Sequence, residues 1–405
     1  MSTEQIARRR IAAIVIILLL RSMGTGILGL ALPLYFSAVG RSPGEWGLAA
    51  GVFALATVFG EPFWGWQSDR LGLAAPFLAA GLGAALLVPA FGLTANLAAL
   101  LALQLGRGAV ETGSAPAARK ALAHSLGPGK RAAGIGLFQA CNGAGIALGP
   151  LVAGWLLEHL GYHAAFVACS ALSLAAVVLT LWSRPVLSSP LQASEGDAGL
   201  PAGAPDAGPP GPYLRAFIAL AAVAVCLFAG TAVGRSFLPL LGTEMLALDA
   251  SPVALMLGLT GALGGPLTIL CGSLADRWGR LPLIAAGLLC VAGGLLGCAM
   301  APSLAALGAS AFLLTAGSAA GIPAGVALIS DVTPVSRQGR MIGLYGACEN
   351  LGITVGPVLC GLVWDARGPR LALVVCALFV LLGLPLLLRG VRPAVRSAAA
   401  GLERG

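Results

Sequence analysis

The sequence predicts an all-α polytopic membrane protein of twelve transmembrane helices, written as two related halves. Three observations carry that expectation. Of the 405 residues, 58% are hydrophobic and only 10% charged, with a mean hydropathy of +0.92, and so little charge cannot cover a water-soluble domain. Apolar stretches of about 20 residues recur, the length that crosses a hydrocarbon layer roughly 30 Å thick. Finally, Gly136 to Gly161 returns 207 residues later, without a gap, as Gly343 to Gly368, with ten of 26 positions identical. The matches include Cys141/Cys348, Gly149/Gly356 and Pro150/Pro357, and the same offset carries Gly65, Asp69, Arg70 and Gly72 onto Gly272, Asp276, Arg277 and Gly279.

Taken in order, the first half offers spans at 11–36, 46–67, 73–93, 97–118, 132–157 and 163–183. The second offers 214–241, 252–275, 281–300, 303–329, 338–364 and 370–388. The first span follows MSTEQIARRR, and no small-residue cleavage site follows a short apolar core, so it reads as a retained helix. One long gap, Arg184 to Pro212, is rich in Pro, Gly, Ala and Ser and lacks the apolar residues to fold by burial. The expected organisation is residues 1–184, a flexible cytoplasmic linker over 185–212, and residues 213–405.

Charge sets the orientation. Eighteen Lys and Arg fall on the side of the termini and linker, and three (Arg41, Arg367, Arg370) on the other. Positive residues stay in the cytoplasm, so both termini are expected there, in a cell (inner) membrane. The net charge of +8 thus belongs to loops facing the cytoplasm and gives no argument for nucleic acid. All nine cysteines lie inside apolar spans, where they read as small packing residues rather than disulfides or metal ligands. No phosphate-binding loop of the form GxxxxGK[ST], no HExxH and no GxSxG occurs. Neither ATP-driven work, an enzyme, a cofactor nor a metal is expected.

Gly65-Trp-Gln-Ser-Asp69-Arg70-Leu-Gly72 follows span 2, and Gly272-Ser-Leu-Ala-Asp276-Arg277-Trp-Gly279-Arg280 follows span 8. Both resemble the signature loop of the major facilitator superfamily, which the family is thought to use as a latch closing the cytoplasmic side. The first copy departs from the pattern, with Leu73 and Ala74 where basic residues are usual. In span 5, Gly145 to Gly154 resembles the glycine-proline signature of the superfamily's drug:proton antiporters, with Ala153 replacing a glycine. Gly149-Pro150, and Gly356-Pro357 in span 11, would act as hinge or seal; close packing alone is the plainer alternative. The resemblance implies two six-helix bundles around a central cavity that opens alternately to each side.

Ionisable side chains within spans are costly and point to pairing or a wet path. Arg21, Glu61, Arg107, Glu111, Arg235 and Glu349 are such residues. Arg107 matches the arginine of the family's span-4 signature, while Glu111 stands where a glycine is expected; at i, i+4 the two can pair. Glu61, near the cytoplasmic end of span 2, is the candidate best explained by structure. Glu349 lies about eleven residues into span 11, near mid-membrane at roughly 1.5 Å per residue, and its repeat partner is the polar Asn142. Gln139 could help line a cavity. The expected function is secondary active transport by a monomer, as proton-coupled efflux of small amphipathic molecules, with Arg21, Arg107, Glu111, Gln139, Asn142, Arg235 and Glu349 as substrate or proton-coupling candidates. A proton-coupled carrier of organic anions or metabolites, and a transporter-fold sensor or assembly factor that moves nothing, are the alternatives.

Overall fold

A computed structural model describes residues 3–125, 131–187, 212–333 and 338–391. Most of the expected linker, and the basic residues Lys130, Arg337, Arg392, Arg396 and Arg404, lie outside the described residues.

The described chain is helical throughout. The first half holds α1 (Thr3–Ala38), α2 (Pro43–Leu71), α3 (Ala74–Phe91), α4 (Leu97–Glu111), α5 (Ser114–Ser125), α6 (Arg131–His159), α7 (Gly161–Trp182) and the short α8 (Arg184–Leu187). The second holds α9 (Pro212–Leu240), α10 (Ala250–Trp278), α11 (Arg280–Met300), α12 (Leu304–Val332), α13 (Gln338–Arg367), α14 (Pro369–Leu381) and α15 (Gly383–Leu386). Eleven helical segments among the described residues are long and apolar enough to cross a membrane. The twelfth expected span, 97–118, is divided at Thr112–Gly113 into α4 and α5, each too short to qualify alone.

The chain forms two compact units. Of the described residues, one contains α1, those between 52 and 187 and the stretch Gly242–Ala262; the other contains Ser42–Gly51, those between 212 and 241 and those from Leu263 to 391. The N-terminal end of α2 therefore clusters with the second unit and the N-terminal part of α10 with the first.

The core of the first unit explains its apolar pattern. Ile14, Ile17 and Leu18 of α1 pack with Phe77 of α3, Ala117, Ala118, Ala121 and Leu122 of α5, Phe138 of α6 and Ala176 of α7. The alanines of α5 let the helices close on the larger side chains, since without a hydrophobic drive in lipid the helices associate by close packing.

The repeat is used structurally in the same way twice. A Cβ on Gly149 of α6 would meet Met23 O and the Gly26 backbone of α1, and one on Gly356 of α13 would meet the Ala229 backbone of α9. Met23 and Ala229 are almost the same position at the 207-residue offset, so one backbone-to-backbone seam joins α1 to α6 and α9 to α13. Both α6 and α13 run through their prolines, Pro150 and Pro357, as continuous helices. All nine cysteines are free, and each is buried or half-buried.

Candidate functional site

In the first unit the site is built around the interruption of span 4. Asn96 caps the start of α4 by accepting from Ala99 N–H. The helix stops at Glu111, where Thr112 and Gly113 precede α5. Gly113 has to be a glycine, because a Cβ there would stand 2.6 Å from the indole of Trp64. That indole donates from Nε1 to the Ala109 carbonyl at 2.8 Å. The Thr112 hydroxyl donates to Gly108 O at 3.0 Å. Arg21 of α1 donates from Nη2 to the Glu111 carbonyl at 3.0 Å and from Nε to Ser114 Oγ at 3.0 Å. Carbonyls freed at a helix C-terminus carry partial negative charge, and a guanidinium there is favoured by both hydrogen bonding and the helix dipole.

One turn earlier, Arg107 pairs with Glu111: Nε to Oε1 is 2.8 Å and Nη2 to Oε2 is 3.5 Å. Its Nη1 donates to Gln104 Oε1 at 2.7 Å, and its guanidinium lies 4.7 Å from the centre of the Phe53 ring. The side chains of Arg107 and Glu111 are only 6% and 10% exposed. Gln104, Arg107 and Glu111 make a polar ladder on one face of α4, and Arg21 closes its end at the Glu111 carbonyl. Arg21 Nη1 is buried and has no acceptor among the described residues. A group that gains or loses charge here would alter every contact in the ladder, which is the chemistry a coupling site requires.

The other polar candidates are dispersed. Asn142 accepts from the Ser22 hydroxyl at 2.9 Å, tying α6 to α1. Gln139 is exposed. Glu61 of α2 is half-buried. In the second unit Glu349 is half-buried on α13, one turn beyond the buried Tyr345. Arg235 of α9 is exposed and makes no hydrogen bond or ion pair among the described residues. Sequence reasoning found the Arg107–Glu111 pair but missed Gln104, Ser114 and Ser22. Spacing i, i+3 ahead of Arg107 was a readable signal for Gln104; Ser114 and Ser22 are defined only by packing.

The two signature loops end alike and close differently. Gly72 and Gly279 have φ of 77° and 89°, a left-handed turn that glycine adopts without strain. In the second loop, Arg280 donates from Nε to Asp331 of α12 and lies 4.0 Å from Asp276. In the first, the equivalent of Arg280 is Leu73, which joins the apolar core, while Arg70 stacks 3.9 Å over the Trp66 ring. The Asp69 side chain lies outside the described residues. A Cβ on Gly65 or Gly272 would meet nothing within 4 Å, and Arg277 is exposed. Among the described residues no cluster of three His, Cys, Asp or Glu is placed to hold a metal.

The chain matches a family model described as Major Facilitator Superfamily over residues 14–303 and again over 220–404. Among similar proteins, a multi-drug resistance efflux pump PmrA homolog of Lactococcus lactis is 26% identical over 371 residues, covering 87% of each chain. The class G tetracycline resistance protein of Vibrio anguillarum is 27% identical over 363 residues, covering 86% of this chain and 89% of that protein. Among solved structures, a bacterial homolog to the human lysosomal transporter Spinster superposes with a TM-score of 0.79 at 16% identity, over 97% of this chain and 98% of that one. At that identity the likeness concerns the fold alone.

Proposed function

The chain belongs to the Major Facilitator Superfamily, and from that premise we propose that it is a proton-coupled efflux transporter of small amphipathic molecules, working by alternating access. It is an integral membrane protein and a transporter rather than an enzyme, and its relatives include drug efflux pumps. The observation that carries the finer reading is the buried ladder Gln104–Arg107–Glu111, capped by Arg21 at the break in span 4. A carboxylate kept inside a membrane, paired with one guanidinium while a second bonds its backbone carbonyl, costs several kcal/mol to assemble. Exchange of its proton gives that arrangement a use.

In this reading Arg107, Glu111 and Glu349 carry coupling or substrate contact. Asp69, Arg70, Asp276 and Arg277 gate the cytoplasmic side, and Gly149-Pro150 and Gly356-Pro357 give their helices room to move. The protein acts as a monomer in the cell membrane with both termini cytoplasmic, each half of the duplicated chain forming one bundle. Ligand-induced proton release from detergent-purified protein tests the assignment, comparing the parent with Glu111→Gln and Glu349→Gln. Loss in either variant, with ligand binding retained, identifies the proton carrier; undiminished release from both removes both residues from that role. Ligand-dependent proton flux in proteoliposomes must also be seen, and its absence would favour a sensor.

The organic-anion reading keeps one observation in its favour, the Arg235 side chain with no partner among the described residues. Competition between anionic and cationic amphiphiles for the same site separates the two substrate classes. Preference for the anion, abolished in Arg235→Gln, would transfer the assignment.

A further inference from the structure

Beside the polar ladder, the first unit contains a small recess whose polar wall comes from Arg21 and Thr25 of α1, Glu111 of α4, and Cys169 and Ser173 of α7; the rest of the wall is apolar. Its volume is about 10 Å³, near the lower limit of the space that admits one water molecule. The hydrogen-bond inventory of the wall is lopsided. Thr25 donates its hydroxyl proton to Arg21 O at 3.2 Å, Ser173 to Cys169 O at 2.9 Å, and the Cys169 thiol points to Gly24 O at 3.6 Å. Every hydroxyl and thiol proton is thus committed to backbone. What is left over on the residues of the wall is one donor without an acceptor, the buried Arg21 Nη1, alongside acceptors: Glu111 and the oxygen lone pairs of Thr25 and Ser173. An anion needs several donors around it and would meet a carboxylate. Water can accept once and donate twice, which is what the wall offers.

We propose that this recess binds one water molecule, accepting from Arg21 Nη1 and donating to Glu111 and to a hydroxyl oxygen of Ser173 or Thr25, and that the coupling proton reaches and leaves Glu111 through it. The relay half of the proposal rests on the proton-coupled reading above; the water site does not. The step balances simply. The water passes one proton to a Glu111 oxygen while accepting one from a second water on the side of Thr25, which is exposed. Nothing is oxidised, no charge stays on the water, and Arg107 remains a guanidinium throughout. Arg21 is then a positioning residue that holds the water by one N–H and the end of α4 by another.

Two measurements on the full chain decide the matter. A density map fine enough to show solvent should contain a peak at about 2.7–3.2 Å from Arg21 Nη1, with no anomalous signal there after soaking in bromide. A bare recess, or a bromide peak, overturns the water site. Ser173→Val, which fills the recess and removes an acceptor, should slow ligand-induced proton release by about tenfold or more, while ligand affinity and Tm stay near the parent's. Thr25→Val, at an exposed position, gives the same test should Ser173→Val fail to fold. Parental release rates in a folded variant overturn the relay even if the water is seen. Absence of proton release from the parent protein itself would instead remove the proton-coupled reading and leave the water site to the map.

Discussion

At an offset of 207 residues the fourth span of the first half and its copy in the second differ at each position of the polar ladder. Gln104, Arg107, Glu111 and Ser114 face Ala311, Leu314, Ser318 and Gly321, and Arg21 faces Phe228. The first copy is broken at Thr112–Gly113, whereas the second runs unbroken from Leu304 to Val332. Leu314 fills the space against Gly234 and Gly294, as a packing residue should. One scaffold thus supports a charged, interrupted helix and an apolar, continuous one. The duplication conserves the seams between helices and leaves the chemistry free to diverge. The same lesson holds at Asn142, which accepts a hydrogen bond from the Ser22 hydroxyl, while the residue equivalent to Ser22 in the second half, Ala229, has no hydroxyl to offer the copy Glu349.

The largest effect should come from unbalancing the ladder. Arg107→Ala leaves Glu111 buried without its charge partner and should cost about 3–5 kcal/mol, read as a fall in Tm in detergent with loss of transport. Arg107→Leu combined with Glu111→Ser, the residues of the second half, should restore most of the stability and none of the proton release. Recovery of release in that double variant would show that the ladder is only structural.

Next in size is the seam that the halves share. Gly149→Ala and Gly356→Ala each place a Cβ within 2.4 Å of a backbone oxygen, and overpacking of this kind should cost about 1–3 kcal/mol in both halves. A large loss in one and none in the other, by thermal unfolding, would break the symmetry of the seam.

A smaller effect is expected at the divergent polar pair. Ser22→Ala removes the donor to Asn142 and should destabilise by about 0.5–1.5 kcal/mol, with proton release unchanged. Smallest of all, Gly136→Ala and Gly343→Ala meet nothing within 4 Å and should shift stability by less than about 1 kcal/mol, in the stabilising direction.

Much of this was legible in the sequence, for identifiable reasons. Apolar length gave the spans, and the paired Gly-Pro matches gave the duplication, because glycines at backbone crossings tolerate no replacement. The Arg107–Glu111 pair was readable because helical spacing alone brings i and i+4 together. The break after Glu111 was not, since Thr112-Gly113 is a weak interruption in an apolar run. What stops the helix is tertiary: the Trp64 indole and the Arg21 guanidinium supply donors from other helices. The recess beside Arg21 has the same origin, being defined by residues of α1, α4 and α7 that no local pattern connects.

The divided span also bears on how the protein is made. Of its two pieces, the 15 residues of α4 and the 12 of α5 are each shorter than the roughly 20 a bilayer requires. An arginine at the middle of a span adds about 2.5–3.5 kcal/mol against insertion. In the folded chain two donors from other helices meet this segment: Trp64 at the Ala109 carbonyl, and Arg21 at the Glu111 carbonyl. Both lie upstream and leave the ribosome first.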